Sequence, residues 1–579
     1  MLKTLLRHLG AYKKQAILAP ITMILEVAME VTIPFLMSRI INIGVANGDT
    51  AYIARIGLLM IGMAFFSLCF GMLTSRLSST AGAGFAKNIR EALFGRIQEF
   101  SFSNVDRFST ASLVTRLTTD VTSVQNTFMM TLRLAVRAPV MLVFAVIMAV
   151  SINTELATVF LVAVPVLAVT LIIVMTSAYP RFRKMLAEYD VMNRNVQEDL
   201  IGIRVVKAFV REDHETEKFR RSSTRVMQLQ YAAERIVIFI MPAMMFVMYG
   251  CMIAISWFGG VRIINGTMLT GDLMSFVSYT TQILMSLMMM GMVFMMIVIT
   301  RASFARIAEV LDEKPGIVNP ENGVKEVPHG GVAFENVRFR YSAGSGEHTL
   351  SDISLHIAPG QTVGVMGATG SAKTTLVQLI PRLYDVNEGR VLVGGNDVRS
   401  YDLKALRDAV AMVLQNNVLF SGTIRENLKW GNEDATDEQI AAACRIAQAH
   451  EFVMGFPEGY DTDLGQGGVN LSGGQKQRLC IARALLKRPK IMILDDSTSA
   501  VDTETDRRIR SGLKQELSGM TTIIIAQRAA SIMDADQIVV LDEGRISAVG
   551  THEQLLGSSE IYREVYASQH KGVDEYAKA

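Results

Sequence analysis

The chain has 579 residues, 50% of them hydrophobic and only 19% charged, with a formal net charge of +2 and a mean hydropathy of +0.29. Soluble domains carry about 25% charged residues, so this balance argues against a water-soluble enzyme, and equally against disordered, collagen-like and disulfide-stapled chains. Cys69, Cys251, Cys444 and Cys480 lack metal-site spacing and read as reduced packing residues, and a nearly neutral chain has no global field for nucleic acid, which is not an expected partner.

The opening segment, residues 1–14, reads as a basic amphipathic helix without a cleavage site, lying along the inner membrane surface. Six apolar runs follow at about 17–40, 56–75, 132–151, 156–178, 236–258 and 273–299, each near the roughly 20 residues that cross a bilayer. They predict an α-helical six-span membrane domain over 15–305. The links 76–131 and 180–235 are long, and the second holds a dense basic series beginning with Arg181, Arg183 and Lys184, whereas the short loops offer little beyond Arg262. By the positive-inside rule the long links, both termini and the rest of the chain are cytoplasmic, in a multi-pass protein of the cytoplasmic membrane. Apolar residues recur at helical spacing through the long links, as in AGAGFAKNIREALFGRIQEF, so the spans should continue as helices beyond the lipid.

Glu26 and Glu30 share one helical face deep in the first span, where ionisable groups are costly. A substrate cavity attracting cationic amphiphiles, an ion pair with a base such as Arg39, and a contact with another subunit all account for them. Arg133 and Arg137 are placed near the cytoplasmic boundary, able to snorkel. The Met-rich stretch MSLMMMGMVFMM in the last span reads as a lipid-facing or packing stripe rather than an adaptable binding wall.

Beyond a linker at 306–330, residues 331–570 read as a soluble α/β P-loop ATPase, with a solvated tail at 571–579. QTVGVMGATGSAKTTLVQLI has the order strand, Gly-rich turn, helix that a P-loop requires. Gly367, Ala368, Thr369, Gly370, Ser371, Ala372, Lys373, Thr374 and Thr375 form its loop and helix start. Backbone amides there face the β-phosphate, Lys373 reaches the β- and γ-phosphates of ATP, and the Thr374 hydroxyl ligates Mg²⁺. Ala372 stands where the pattern has its second glycine. The run KIMILDDSTSAVD is a buried parallel strand ending in carboxylates. Asp495 would hold Mg²⁺ through water, and Asp496 would polarise an attacking water.

Between these elements, Leu471, Ser472, Gly473, Gly474 and Gln475 read LSGGQ, and the chain here resembles the ATP-binding cassette transporter family. The resemblance implies that Tyr341 stacks on adenine, that Gln415 touches Mg²⁺ and reports to the membrane domain, that Ser499, Ala500, Val501 and Asp502 form the D-loop, and that 462–468 is the exporter-type loop before the signature. It covers essentially the whole chain and implies a half-transporter of the type I exporter fold. Its coupling helices fall near 102–109 and 202–209. The signature, at a helix N-terminus, has no anion to bind on its own chain and would cap the ATP of a second half-transporter.

Three positions depart from the family pattern: Ala372, Asp496 where glutamate is usual, and Gln527 where histidine is usual. The aspartate is about 1.5 Å shorter, and glutamine bonds a phosphate oxygen without relaying a proton. A poor hydrolytic centre beside an intact signature resembles the degenerate-site subunit of a heterodimeric multidrug-type exporter, whose non-identical partner keeps the glutamate and histidine. The expected function is ATP-driven export of hydrophobic or amphiphilic small molecules, in contact with membrane lipid. Rival readings are a nucleotide-gated regulatory or channel-like membrane protein and a slow homodimeric lipid or peptide exporter.

Overall fold

The computed structural model describes residues 5–341, 348–496, 501–516 and 519–576. They form two compact units, Met1–Gln98 with Ala111–Glu313, and Glu99–Thr110 with Lys314–Ala579.

The first unit is helical. Among the described residues six helices are long and apolar enough to cross a membrane: Arg7–Val45, Thr50–Gln98, Thr110–Ile152, Thr154–Ile201, Glu212–Ile264 and Thr270–Asp312. At 1.5 Å per residue the 48 residues of Thr154–Ile201 extend roughly 70 Å, more than twice the thickness of a hydrocarbon core. The apolar part therefore continues into a polar helix, as the link pattern predicts. Ala138, Ala145 and Ala149 have no exposed surface, and such small side chains let neighbouring backbones approach closely. Polar groups buried between spans find partners: the Tyr279 hydroxyl donates to the Val31 carbonyl at 2.9 Å and Thr74 to Thr22 Oγ1 at 2.8 Å.

The acidic pair in the first span is held by one base. Arg137 donates from Nη1 to Glu26 at 2.7 Å and from Nη2 to Glu30 at 2.5 Å. Arg137 is thus turned inward to the two carboxylates rather than snorkelling at a boundary, and Arg39 instead lies over the Phe35 ring at 5.2 Å. The arrangement follows from cost: two carboxylates among apolar residues need a counter-charge, and a guanidinium offers two donor edges at once.

Three boundaries differ from the sequence reading. The last span stays helical to Asp312, through the start of the expected linker, because ARIAEVLD still repeats apolar residues at helical spacing. The final helix is Glu560–Tyr576, so the expected tail at 571–579 begins inside a helix. Residues Glu99–Thr110 cluster with the ATPase unit although they interrupt the membrane helices in sequence. Within them the short helix Phe102–Phe108 is capped by a Ser101/Asn104 box. Asn104 accepts from the Gly316 amide at 2.9 Å and donates to the Lys314 carbonyl at 3.1 Å. Tyr384 donates to Asp106 at 2.7 Å, and its ring lies 6.0 Å from Phe102.

The rest of the second unit is α/β. A six-stranded sheet runs in the order Arg545–Gly550, Gln537–Asp542, Thr362–Gly367, Thr521–Ile525, Ile491–Asp495, Val410–Val413. All neighbours are parallel except the first pair. Ile491–Asp495 and Thr521–Ile525 are buried at every position, as continuous apolar runs in a doubly covered parallel sheet should be. A second sheet pairs Leu350–Ile357, Val332–Phe339, Glu388–Val393 and Asn396–Asp397. Five adjacent parallel strands thus end at one edge of the main sheet, where α/β folds bind ligands.

Candidate functional site

The strand Thr362–Gly367 delivers the glycine-rich loop. At Gly367 an added Cβ would lie 2.1 Å from the Leu541 carbonyl oxygen, so the close approach of two strands requires glycine there. Ala372, immediately before the helix Lys373–Gln378, sits at φ +68°, ψ +24°. That left-handed region costs an L-residue about 1–2 kcal/mol, which explains why glycine suits the position and shows that alanine still adopts the same turn. Lys373 folds back over its loop, donating from Nζ to the carbonyls of Gly367 at 2.9 Å and Ala368 at 2.8 Å.

The neighbouring strands supply the opposite wall. Thr374 Oγ1 donates to Asp495 Oδ1 at 3.1 Å, leaving Asp495 Oδ2 buried without a partner. Gln527, just past Thr521–Ile525, donates to Asp496 Oδ2 at 3.1 Å, and Gln415, past Val410–Val413, approaches the same oxygen at 3.5 Å, the outer limit of a hydrogen bond. The Asp496 amide donates to the Ile525 carbonyl at 3.0 Å. Together these side chains line a cavity of about 290 Å³ that also includes Thr369, Gly370, Thr375, Ile525 and Thr349.

Burial pushes the Lys373 ammonium down from its ordinary range, against the pull of Asp495 and Asp496. Burial likewise pushes Asp495 and Asp496 up, opposed by the Thr374 and Gln415 hydrogen bonds respectively. Each charged group is thus disfavoured as it stands. The donor set, one hydroxyl, one buried carboxylate with a free oxygen and one amide oxygen, fits Mg²⁺, which takes few protein ligands alongside phosphate oxygens and water. The loop and Lys373 fit a polyphosphate.

Tyr341 is not among the residues lining the cavity. It shares a hydrogen bond with Thr375 at 3.0 Å and meets Phe339 and Tyr384 edge-on at 5.0 and 5.2 Å. Leu471–Gln475 do not line it either. Ser472 and Gln475 instead form a capping box, with amide-to-side-chain bonds of 2.9 and 3.3 Å, at the start of the helix Gly473–Leu486. This leaves glycine amides at an exposed helix N-terminus. Of the expected D-loop, Ser499 and Ala500 lie outside the described residues, Val501 is buried, and Asp502 caps the helix Thr503–Glu516 through a 2.9 Å bond from the Thr505 amide. Glu26 and Glu30 belong to the other unit. Two residues of this region carry no motif signal: Thr349 at the cavity, and Tyr384, which joins the Tyr341 ring to Asp106.

Residues 16–288 match the family described as ABC transporter transmembrane region, and residues 350–499 the one described as ABC transporter. An uncharacterized ABC transporter ATP-binding protein of Bacillus subtilis, YfiB, is 39% identical over 97% of this chain and 98% of its own. Another protein of that organism, YgaD, provisionally named for multidrug export, is 31% identical over 98% of this chain and 99% of its own. Among solved structures, a bacterial Atm1-family ABC exporter with ATP bound superimposes with a TM-score of 0.83 at 26% identity, covering 97% of this chain and 99% of that one.

Proposed function

The chain belongs to the ABC transporter family, as a half-transporter whose six membrane helices and ATPase share one polypeptide, and from that premise we propose that it is the weakly hydrolysing half of a heterodimeric exporter of hydrophobic or amphiphilic compounds. The observation that carries this reading is the state of Asp496. The family's general base is here one methylene shorter, its carboxylate is engaged by the Gln527 amide at 3.1 Å, and glutamine stands at position 527 where the family has histidine. The signature helix meanwhile keeps its capping box and exposed amides. Such a chain binds ATP, hydrolyses it slowly, and completes a faster site on its partner.

In the bound state the loop amides and Lys373 hold the phosphates, while Thr374, Asp495 and Gln415 are the residues that would hold Mg²⁺. Bound there, Mg²⁺ would neutralise negative charge on the phosphates. Gln527 orients the γ-phosphate, and Tyr341 swings from Thr375 onto the adenine. Ser472 and the Gly473–Gly474 amides cap the partner's nucleotide. The basic residues of the second long link support a cytoplasmic position for the long links, both termini and the ATPase, in a protein of the cytoplasmic membrane.

A partner chain is supported by surfaces each unit leaves uncovered. In the first unit Val205, Phe209 and Val210 around the helix Ile203–Ala208 are 60–80% exposed; in the second, Trp430 is 66% exposed and stacked on Phe420. ABC exporters act as dimers, and a second half-transporter covers both surfaces. ATP binding and release then bias two bundles between inward and outward openings.

The test is uptake of a fluorescent cation into inverted vesicles carrying the co-expressed pair. Lys373→Ala should slow transport, and removal of the partner's catalytic glutamate should abolish it. Robust ATP hydrolysis by this chain without any partner would overturn the heterodimer reading. No ATP-dependent accumulation across a broad substrate panel would overturn export.

A further inference from the structure

We propose that Gln569, on the C-terminal helix, is a positioning residue of the nucleotide site: it fixes the loop that presents Gln527 to Asp496 and to the γ-phosphate. The inference rests on the nucleotide reading of the cavity and extends it to an element that carries no motif. Gln569 Nε2 donates to the Gln527 carbonyl at 2.8 Å, and Gln569 Oε1 accepts from the Ala529 amide at 2.8 Å. One side-chain amide thereby clamps the backbone on both sides of Arg528, between the buried strand Thr521–Ile525 and the turn Ala529–Ser531.

The clamp needs a firm base, and the helix Glu560–Tyr576 supplies one. Tyr562 is fully buried and shares a 2.7 Å hydrogen bond with His552, its amide donates to Ser559 Oγ at 3.3 Å, and Ile561, Val565 and Tyr566 pack on the core of the ATPase unit. Tyr562, Tyr566 and Gln569 follow one another at i, i+4 and i+7, so they share the face turned to that core. Gln569 is the polar member of an otherwise apolar stripe, and its polarity is used on the loop.

The chemistry is specific to glutamine. A donor and an acceptor must sit at one reach: glutamate accepts from Ala529 but repels the Gln527 carbonyl, asparagine is one methylene short, and methionine keeps the volume and makes neither bond. Gln569 touches no nucleotide in this scheme. It acts through Gln527, whose amide reaches Asp496 Oδ2 at 3.1 Å. The group it positions meets the γ-phosphate, so its influence must distinguish ATP from ADP.

The experiment measures displacement of a fluorescent nucleotide by ATP and by ADP from the assembled transporter, with the partner's P-loop lysine replaced so that only this chain's site binds. Gln569→Met should lower the preference for ATP over ADP roughly fivefold, the factor carried by one ordinary hydrogen bond, with ADP affinity unchanged. Gln569→Glu should shift it in the same direction, and a Gln527→Ala background should remove the effect of Gln569→Met. Equal weakening of ATP and ADP, or an undiminished effect in the Gln527→Ala background, would assign Gln569 a purely structural role and overturn the proposal. Failure of the unaltered protein to bind either nucleotide would instead overturn the nucleotide reading, and the proposal with it.

Discussion

On the proposed reading of the site, lengthening Asp496 by one methylene should speed hydrolysis there. The Asp496 backbone cannot slide forward to compensate for a short side chain, because its amide is bonded to the Ile525 carbonyl at 3.0 Å and the preceding strand is buried along its length. The carboxylate therefore stops about 1.5 Å short of the position a glutamate would reach, and a displacement of about 1 Å costs on the order of 100-fold in rate, or about 2.7 kcal/mol. Asp496→Glu should raise single-turnover phosphate release at this site by up to about 100-fold, measured with the partner's catalytic glutamate silenced. Asp496→Glu with Gln527→His should go further, since an imidazole relays a proton that an amide does not. Burial holds the Asp496 carboxyl above the usual carboxylate range, and a general base must be ionised, so acidification should silence this site earlier than it would an exposed aspartate. An unchanged rate in Asp496→Glu with ATP binding intact would refute the reach argument.

Arg137→Ala should destabilise the membrane unit by about 3–5 kcal/mol, because it leaves Glu26 and Glu30 as unpaired charges; replacing all three by neutral residues of similar size should recover most of the loss, read as melting temperature in detergent. Asp495→Asn should raise the melting temperature of nucleotide-free protein in EDTA at neutral pH. Burial raises the folded-state pKa of Asp495, so its ionisation opposes folding above that pKa, and the gain should shrink as pH falls through it. The same variant should lose Mg²⁺-dependent ATP binding. Ala372→Gly relieves about 1–2 kcal/mol of left-handed strain and gives back about 0.5–1 kcal/mol in chain entropy, a net stabilisation between about zero and about 1.5 kcal/mol, whereas Ala372→Val should destabilise the loop and weaken ATP binding.

The sequence alone determined the parts of this protein that are written in contiguous residues. Six apolar runs specify spanning helices because lipid leaves the backbone no other partner. A strand, a glycine-rich turn and Lys373–Thr374 specify a phosphate loop because amides, lysine and hydroxyl must follow one another within a few residues. The departures at Ala372, Asp496 and Gln527 were legible for the same reason. Tertiary structure decided what depends on residues far apart in the chain. Arg137 lies 107 positions beyond Glu30, so no helical spacing could pair them, and the side chain expected at a membrane boundary turned out to neutralise the acidic pair. The resemblance placed a coupling helix near 102–109, but which groups it meets, the Gly316 amide at Asn104 and the Tyr384 hydroxyl at Asp106, only the fold shows. Tyr341 has the sequence context of an adenine platform, but its hydroxyl rests on Thr375. Gln569 belongs to no motif, and it bonds the Gln527 carbonyl across 42 residues of sequence. Local pattern fixes which groups face a phosphate or a lipid chain, because periodicity and turn chemistry act over a few residues. Which charge meets which, and which element bonds the backbone around Gln527, follows only from packing, since a buried polar group takes whatever partner the fold brings within 3 Å.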